Sequence, residues 1–376
     1  MSLKLDWKRT FPEDCIITGF KHESESIFFN LYCSSNELDV AVNVNNGRLT
    51  IKEQREPGLL GTFEFREHLF IATCYQGLGN RLWYRTCRGV ITRFHCQQNL
   101  CILATLSKDR VLEASILDKN GETLETMKYN NVLDFTIGSS RDILALSISG
   151  LDIDYSRSIL IDLSTMNIVD EIEKFGGQIV STMDHVAVYG FKEYGLTHTK
   201  FFDKRGEEVL EIEGIPYFPP YNPLPIPIHE RLKFPTNIIV VGDKHNVKII
   251  NPRDYSIIFA YTKMPFTKGI FDVDLEENTL ISLLNLMGKP VLIKHDIRGV
   301  VDWVSHIMRE VSYLVSSRNL VALNTRIFGG ETRIYRVMDR KLIHIDSFGS
   351  NTIPIVINED SVILTNDRLV TRYIVE

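Results

Sequence analysis

The fold is set by the stretch from Asp142 to Ile172. It reads Asp-Ile-Leu-Ala-Leu-Ser-Ile-Ser (142–149), a loop, Arg-Ser-Ile-Leu-Ile-Asp-Leu (157–163), the turn Ser-Thr-Met-Asn (164–167) and Ile-Val-Asp-Glu-Ile (168–172). Short apolar runs of this kind, separated by turn-forming residues, predict three neighbouring β-strands. The same pattern returns at Thr279–Val304 and at Asn319–Ile345. The stretch is therefore one copy of a repeated unit.

The central apolar run of each unit recurs with a nearly constant period. These runs begin near Ile27, Leu69, Leu100, Ile143, Val186, Ile238, Leu280, Leu320 and Val362. The usual step is about 42 residues, which is the length of a four-stranded propeller blade. We therefore predict an all-β chain, a single closed β-propeller domain over residues 1–376. Nine units are counted, one of them short; we predict eight blades, with nine as the alternative.

Turns and chain ends support this prediction. Asp or Asn opens a turn by bonding its own backbone, and Gly takes the left-handed position at its end. Such turns are expected between the third and outermost strands at Asn45–Gly47, Asp118–Gly121, Asp203–Gly206 and Asp296–Gly299. The last unit stops one strand short, and Leu3–Arg9 can supply that strand by pairing with Leu369–Val375. This pairing would close the ring and remove exposed sheet edges.

The hairpin Ile159–Ile172 resembles repeats of the WD40-like and YVTN-type β-propellers. In those repeats a run such as Ile-Leu-Ile-Asp-Leu-Ser-Thr-Met-Asn-Ile-Val-Asp-Glu-Ile forms the outer half of each blade. The resemblance covers nearly the whole chain in its period. It implies the blade architecture and a role as an interaction platform, and it assigns no functional residue.

Composition excludes several classes of protein. The net charge of −6 argues against a nonspecific nucleic-acid binder, which is normally basic. No apolar run approaches the roughly 20 residues of a membrane helix, and the first residues lack the apolar core of a signal peptide. All six cysteines lie between Cys15 and Cys101, which is unusual for a secreted disulfide scaffold. We expect a cytoplasmic monomer with reduced thiols, bound to no membrane.

Two groups of residues were weighed as metal or ligand sites. Cys87, His95, Cys96 and Cys101 are metal-ligating types, but their spacing lacks the close pairs of zinc sites, so we expect buried thiols and no metal or other cofactor. Asp272 and Asp274 lie two apart on a predicted inner strand and would share one face. We expect these carboxylates to be simply hydrated in the central channel, and a weak ligand site there is the alternative. No residue is identified as catalytic.

The segment Arg81–Arg88 mixes cations with aromatic residues, as in proteins that bind single-stranded nucleic acid. Strand alternation would place Arg81, Trp83 and Arg85 on one face and Leu82, Tyr84 and Thr86 on the other. A half-exposed strand with arginines packed along aromatic rings explains the same pattern. Because the chain is acidic, nucleic acid is the weaker interpretation.

The proline-rich insertion Gly214–Pro235 is the largest departure from the repeat. It holds seven of the thirteen prolines and carries Tyr217, Phe218 and Tyr221 as candidate partner-binding residues. The other interpretation is that these aromatic residues plug the channel. We predict a non-enzymatic scaffold that binds a protein partner through its loop face and this insertion. The alternative is a propeller enzyme or small-ligand binder with its site at the channel mouth.

Overall fold

The computed structural model is built almost entirely of antiparallel β-strands. It describes the chain apart from residues 1, 24, 67–68, 141, 182–184, 192–196, 217–238, 264–266, 275–277, 288, 297, 308–310, 326–330, 350–351 and 367. Within that part of the chain the only helix is a single 3-10 turn, Ile153–Tyr155. The all-β prediction is confirmed.

In the described part of the chain the strands form nine sheets, eight with four strands and one with three. The first sheet in chain order contains β2 (Cys15–Glu23), β3 (Ser26–Cys33), β4 (Glu37–Asn43) and β5 (Leu49–Arg55), and the second contains β6 (Leu59–Arg66), β7 (Leu69–Gln76) and β8 (Arg81–Cys87). The third contains β9 (Ile91–Gln97), β10 (Leu100–Leu106), β11 (Leu112–Leu117) and β12 (Thr123–Tyr129). The fourth contains β13 (Val132–Ser139), β14 (Ile143–Gly150), β15 (Arg157–Asp162) and β16 (Asn167–Glu173).

The fifth sheet contains β17 (Gly177–Ser181), β18 (Val186–Phe191), β19 (Thr197–Phe202) and β20 (Glu208–Glu213), and the sixth contains β21 (Ile215–Pro216), β22 (Ile239–Gly242), β23 (Asn246–Ile250) and β24 (Ile257–Thr262). The seventh contains β25 (Thr267–Asp274), β26 (Thr279–Leu286), β27 (Lys289–Asp296) and β28 (Val301–His306). The eighth contains β29 (Val311–Ser316), β30 (Leu320–Thr325), β31 (Thr332–Met338) and β32 (Lys341–Phe348). The ninth contains β33 (Ile353–Ile357), β34 (Ser361–Thr365), β35 (Leu369–Val375) and β1 (Leu3–Thr10).

Each sheet follows the repeat found in the sequence. The nine apolar runs correspond to the second strands of the nine sheets, and consecutive strands are hydrogen-bonded neighbours. This up-and-down sheet, repeated about every 42 residues, is the blade of a WD40-like β-propeller. The sheet count matches the alternative of nine units, because the short unit forms a three-stranded sheet of its own.

The predicted turns lie where the sequence places them, between third and fourth strands. Gly47, Gly121, Gly206 and Gly299 have φ between 66° and 84°, a region that side chains disfavour. In the turn between β11 and β12, Asp118 Oδ1 accepts hydrogen bonds from the backbone N–H groups of Asn120 (2.9 Å) and Glu122 (2.8 Å). These Asx-type bonds fix the hairpins that end the sheets.

Buried hydroxyl groups on third strands bind the segment that leads into the next sheet. Ser158 Oγ donates to the Phe175 carbonyl oxygen over 2.9 Å, and Thr199 Oγ1 donates to the Gly214 carbonyl oxygen over 2.7 Å. Thr332 Oγ1 makes the same contact with a carbonyl oxygen just ahead of β33. The polar positions inside these apolar strands therefore satisfy backbone groups that no sheet partner reaches.

Both ends of the chain contribute to one sheet, as predicted. β1 pairs antiparallel with β35 from Leu3 opposite Val375 to Thr10 opposite Leu369. Trp7 on β1 is buried, and its indole N–H donates to the Val44 carbonyl oxygen over 3.1 Å. The N-terminal strand therefore covers the edge that β35 would otherwise expose.

The chain separates into two compact units. The first takes in Met1–Leu31, Asp39–Glu53 and Tyr217–Glu376, and the second Tyr32–Leu38 and Gln54–Pro216. The second unit has a large apolar core between the sheets of β9–β12 and β13–β16, which includes Leu100, Ile102, Leu112, Phe135, Leu144, Leu146, Ile159 and Ile161. The first unit has a core around Trp303, which packs with residues such as Ile281, Leu292 and Leu323.

Candidate interaction edge and the predicted site residues

The sheet of β6, β7 and β8 ends one strand earlier than the other eight. β8 pairs with β7 on one side, and no strand among the described residues pairs with its other side. Third strands elsewhere are largely buried, as in β15, but β8 has the exposure of an outermost strand. Tyr84 is 59% exposed and Leu82 is 38% exposed. β8 therefore presents an unpaired backbone edge beside exposed aromatic and apolar side chains.

One face of β8 is held in place by the turn between β11 and β12. The indole N–H of Trp83 donates to the Lys119 carbonyl oxygen over 3.1 Å, and the Arg85 guanidinium donates to the Gly121 carbonyl oxygen over 2.5 Å. A Cβ atom placed on Gly121 would lie 2.9 Å from Trp83 Cδ2, so the indole ring lies directly on this glycine. These contacts make β8 a fixed edge.

The same arrangement occurs at the other Trp-x-Arg sequence of the chain, in β1. There the Arg9 Nε–H donates to the Gly47 carbonyl oxygen over 2.6 Å, and a Cβ atom on Gly47 would lie 2.8 Å from Trp7 Cδ2. β1 is the fourth strand of its sheet, whereas β8 is the third of its own. The Trp-x-Arg motif thus marks an outermost strand in both sheets.

The predicted faces of β8 are correct for Trp83 and Arg85 but wrong for Arg81. The pairing with β7 is irregular between Cys74 and Tyr75, whose partners are Trp83 and Arg81. This bulge changes the alternation, and the Arg81 guanidinium lies over the Tyr84 ring at 5.6 Å. Arg81 therefore lies beside the exposed Tyr84 and not beside Trp83 and Arg85.

The stretch of sequence around β8 is basic in an otherwise acidic chain. Residues 68–107 contain four arginines and no Asp or Glu, although the chain has 48 acidic residues. Arg93 is paired with Asp134 at 3.5 Å. Within the described part of the chain, no carboxylate lies within ion-pair distance of Arg81, Arg85 or Arg88. Arg81, Arg85 and Arg88 therefore carry positive charge that no described carboxylate pairs with.

The aromatic residues of β8 do not form a row of free ring faces on which successive nucleobases could stack. Trp83 has one side against Gly121 and meets Phe94 edge-on with ring centroids 5.7 Å apart. The Arg81 guanidinium lies over the Tyr84 ring. Single-stranded nucleic acid binds to successive free aromatic faces, so this geometry favours another kind of ligand.

Asp272 and Asp274 lie on β25, the first strand of its sheet, as predicted. Their main-chain partners on β26 are Ile281 and Thr279. Asp274 is partly buried, and the side chain of Asp272 is not described. Their role as a ligand site stays a prediction.

The three aromatic residues predicted to bind a partner, Tyr217, Phe218 and Tyr221, lie outside the described residues. Of the insertion Gly214–Pro235, the structure describes Gly214, Ile215 and Pro216. Ile215 and Pro216 form the short strand β21, which pairs in the same sheet as β22. The binding role of the insertion stays a prediction.

The expectation of six reduced thiols is wrong for four of them. Cys96 and Cys101 form a disulfide across the β9–β10 hairpin, and Cys15 and Cys33 are also disulfide-bonded. A two-residue turn at residues 98–99 places Cys96 directly opposite Cys101, with their Cα atoms 4.1 Å apart. His95, proposed with these cysteines as a ligand, instead bonds Ser139 Oγ through Nε2 at 2.7 Å.

Two open cavities lie on the surface of the first compact unit. One, of about 290 Å³, is lined by Asn358, Glu359, Asp360, Ser361, Arg372 and Ile374. Another, of about 880 Å³, is lined by Lys21, His22, Glu23, Glu25, Ser26, Phe28 and Arg253. Neither has the apolar enclosure of a small-molecule site. No helix in the described ranges is long and apolar enough to cross a membrane.

Comparison with known proteins gives structural similarity without sequence similarity. No family model matches the chain, and no curated protein matches it. The chain is similar to a crystal structure titled as the eukaryotic initiation factor (9% identity, 93% of this chain and 91% of that one, TM-score 0.44). It is also similar to BamB from Moraxella catarrhalis (12%, 99% and 99%, 0.40) and to the WD40 domain of SCAP from fission yeast (10%, 85% and 95%, 0.37).

By architecture the chain has the repeated antiparallel blade sheets of a β-propeller. Propellers host many unrelated functions, so function has to be argued from the surface of this chain.

Proposed function

We propose that this protein is a non-enzymatic β-propeller scaffold that binds a protein partner through an extended, acidic segment added to β8. The observation that carries the proposal is the open edge of the three-stranded sheet, where other sheets have a fourth strand. An extended peptide recognises such an edge by main-chain hydrogen bonds, and neighbouring side chains then give specificity.

The geometry of β8 suits an added strand. A fourth strand would lie about 4.8 Å from β8, the usual spacing within a sheet. It would run beside Thr123 at the start of β12, because Thr123 Oγ1 lies 3.3 Å from the Arg85 guanidinium. Trp83 and Arg85 are already fixed by the turn at Gly121, so the edge loses little conformational entropy when a partner binds.

The side chains of β8 indicate the chemistry of the partner. Arg81 and Arg88 are exposed and meet no carboxylate within the described part of the protein. Tyr84 and Leu82 add exposed apolar surface on the same strand. An extended segment that alternates acidic with apolar or aromatic residues would match both features.

The proline-rich insertion is proposed as a second contact, from the sequence alone. Proline restricts φ, so a proline-rich loop loses less entropy on binding than a flexible one. Tyr217, Phe218 and Tyr221 supply the large aromatic surface typical of interface hot spots.

The experiment selects partners from a displayed library of random extended peptides, with the full-length protein as bait. Selected peptides should be acidic, and calorimetry should show that Arg81→Glu/Arg88→Glu binds them at least about tenfold more weakly, a loss of about 1.4 kcal/mol or more. Arg253→Glu/Lys341→Glu is the matched control, because it changes two exposed cations elsewhere by the same net charge. The control should bind like the wild type.

Three results would overturn the proposal. The selected peptides could lack acidic residues, or both double variants could lose equal affinity, which would indicate only a net-charge effect. Binding of a single-stranded oligonucleotide at the same edge, with no peptide selected, would replace the protein partner with nucleic acid.

A further inference from the structure

Three cysteine sulfur atoms meet in the interior of the second compact unit. Cys74 on β7 is a free thiol, and its Sγ lies 3.7 Å from Cys101 Sγ and 4.0 Å from Cys96 Sγ. All three cysteines are buried, and all three sulfur atoms lie within 4.8 Å of one another. Nothing in the scaffold role of β8 requires three sulfur atoms at one point.

We propose that Cys74, Cys96 and Cys101, once the Cys96–Cys101 bond is reduced, form a three-thiolate binding site for Cu⁺. Thiolate is the soft ligand that selects Cu⁺ among biological metals. Three sulfur ligands around one ion, each at a metal–sulfur distance of about 2.3 Å, lie about 4.0 Å apart when planar. Two of the three sulfur separations, 3.7 and 4.0 Å, are already close to this value.

The elements around the cluster hold its geometry. Cys96 and Cys101 are direct partners across the β9–β10 hairpin, and Cys74 comes from the middle of β7 in the preceding sheet. Gly61 on β6 lies opposite Cys74, and a Cβ atom there would come within 3.1 Å of Cys96 Sγ. The missing side chain at Gly61 therefore leaves room for the Phe94 ring and for Cys96 Sγ.

The surroundings favour Cu⁺ over Zn²⁺. The cluster lies among apolar side chains, which include Leu59, Phe63, Trp83, Phe94, Leu103 and Leu117. Structural zinc takes four ligands, and catalytic zinc takes water as the fourth. Within the described residues, the group of possible ligands contains three thiols and no fourth ligand. A monovalent ion that accepts three sulfur ligands fits this dry pocket.

The redox step balances with a dithiol reductant of the thioredoxin type. The reductant transfers two electrons and two protons to the Cys96–Cys101 bond, forms its own disulfide, and leaves two thiols. On metal binding, the thiols that become ligands release their protons to solvent.

The test titrates anaerobic, reduced full-length protein with Cu⁺ delivered as its bicinchoninate complex, whose colour reports the metal taken up. The wild type should remove one equivalent, and Cys74→Ala should lose at least about 100-fold in affinity. Cys87→Ala is the matched control. Cys87 lies opposite Phe70, and Phe70 is four residues from Cys74 on β7, a distance of roughly 13 Å along the strand. This control should bind like the wild type, and oxidised protein should bind no Cu⁺.

X-ray absorption on the loaded wild type keeps the proposal testable if Cys74→Ala fails to fold. It should show three sulfur atoms at about 2.3 Å from the copper. No uptake by the reduced wild type, equal affinity in folded Cys74→Ala, or two sulfur ligands in the spectrum would each overturn the proposal. Tighter binding of Zn²⁺ than of Cu⁺ would overturn the choice of metal.

Discussion

Replacing Gly121 with Ala tests whether the turn at the end of β11 supports β8. Gly121 has φ of 80°, and alanine in this left-handed region costs about 1–2 kcal/mol. The new methyl group would also lie 2.9 Å from the Trp83 ring, and such overpacking adds about 1–3 kcal/mol. We expect Gly121→Ala to lower the free energy of unfolding by about 2–5 kcal/mol.

Gly299→Ala is the matched control, because Gly299 has φ of 84° and no atom of the described residues lies within 4 Å of a Cβ atom placed there. It should cost only the backbone strain of about 1–2 kcal/mol. The assay is denaturant unfolding followed by tryptophan fluorescence and circular dichroism. In a Trp83→Ala background, Gly121→Ala should also cost only the strain. Equal destabilisation by Gly121→Ala and Gly299→Ala would refute the packing of Trp83 on this turn.

Three further predictions concern the chain ends, acid stability and the insertion. Deleting residues 1–10 removes β1 and the buried Trp7, which should lower the free energy of unfolding by about 3–5 kcal/mol. Calorimetry should then show a melting temperature at least about 5 °C lower. An unchanged melting temperature would contradict the pairing of β1 with β35. The Val300 backbone N–H, with help from Arg298, lowers the pKa of Asp296. The ionised Asp296 therefore stabilises the folded protein above the unfolded-state pKa of about 3.9, and this contribution is lost as pH falls through the folded-state pKa. The melting-temperature difference between wild type and Asp296→Ala should therefore narrow below about pH 4, and a difference independent of pH would contradict this. Replacing Tyr217, Phe218 and Tyr221 together with alanine should weaken partner binding in calorimetry and leave the melting temperature unchanged; an unfolded variant would make the insertion a structural plug.

Local patterns were sufficient to predict most of the fold. The apolar runs identified the second strand of each sheet, because a buried strand needs a continuous apolar stretch. The Asp118–Gly121 type of turn was identified because Asp and Gly have specific roles in turn geometry. The pairing of Leu3–Arg9 with the last unit followed from counting strands. The number of sheets was harder to predict, since a unit of three strands can be counted as a blade or discarded.

The sites depend on contacts between sheets, and sequence spacing does not reveal those contacts. Cys74 is 22 residues from Cys96, and only the packing of adjacent sheets brings their sulfur atoms together. The bulge that turns Arg81 toward Tyr84 has no glycine or proline to signal it. Two signals were present in the sequence and went unused, the repeated Trp-x-Arg and the run of 40 residues without an acidic side chain.

Photo-crosslinking from β8 tests the strand-addition model most directly. Tyr84, 59% exposed, is replaced by p-benzoylphenylalanine, with Tyr155, 41% exposed and on the 3-10 turn, as the matched position. Each protein is irradiated in extract from the native source, and the crosslinked peptides are sequenced by mass spectrometry. The model predicts that position 84, and not position 155, crosslinks to one acidic extended segment of a partner protein, and that Arg81→Glu/Arg88→Glu abolishes the product. The same products from both positions, or a crosslinked segment without acidic residues, would contradict it.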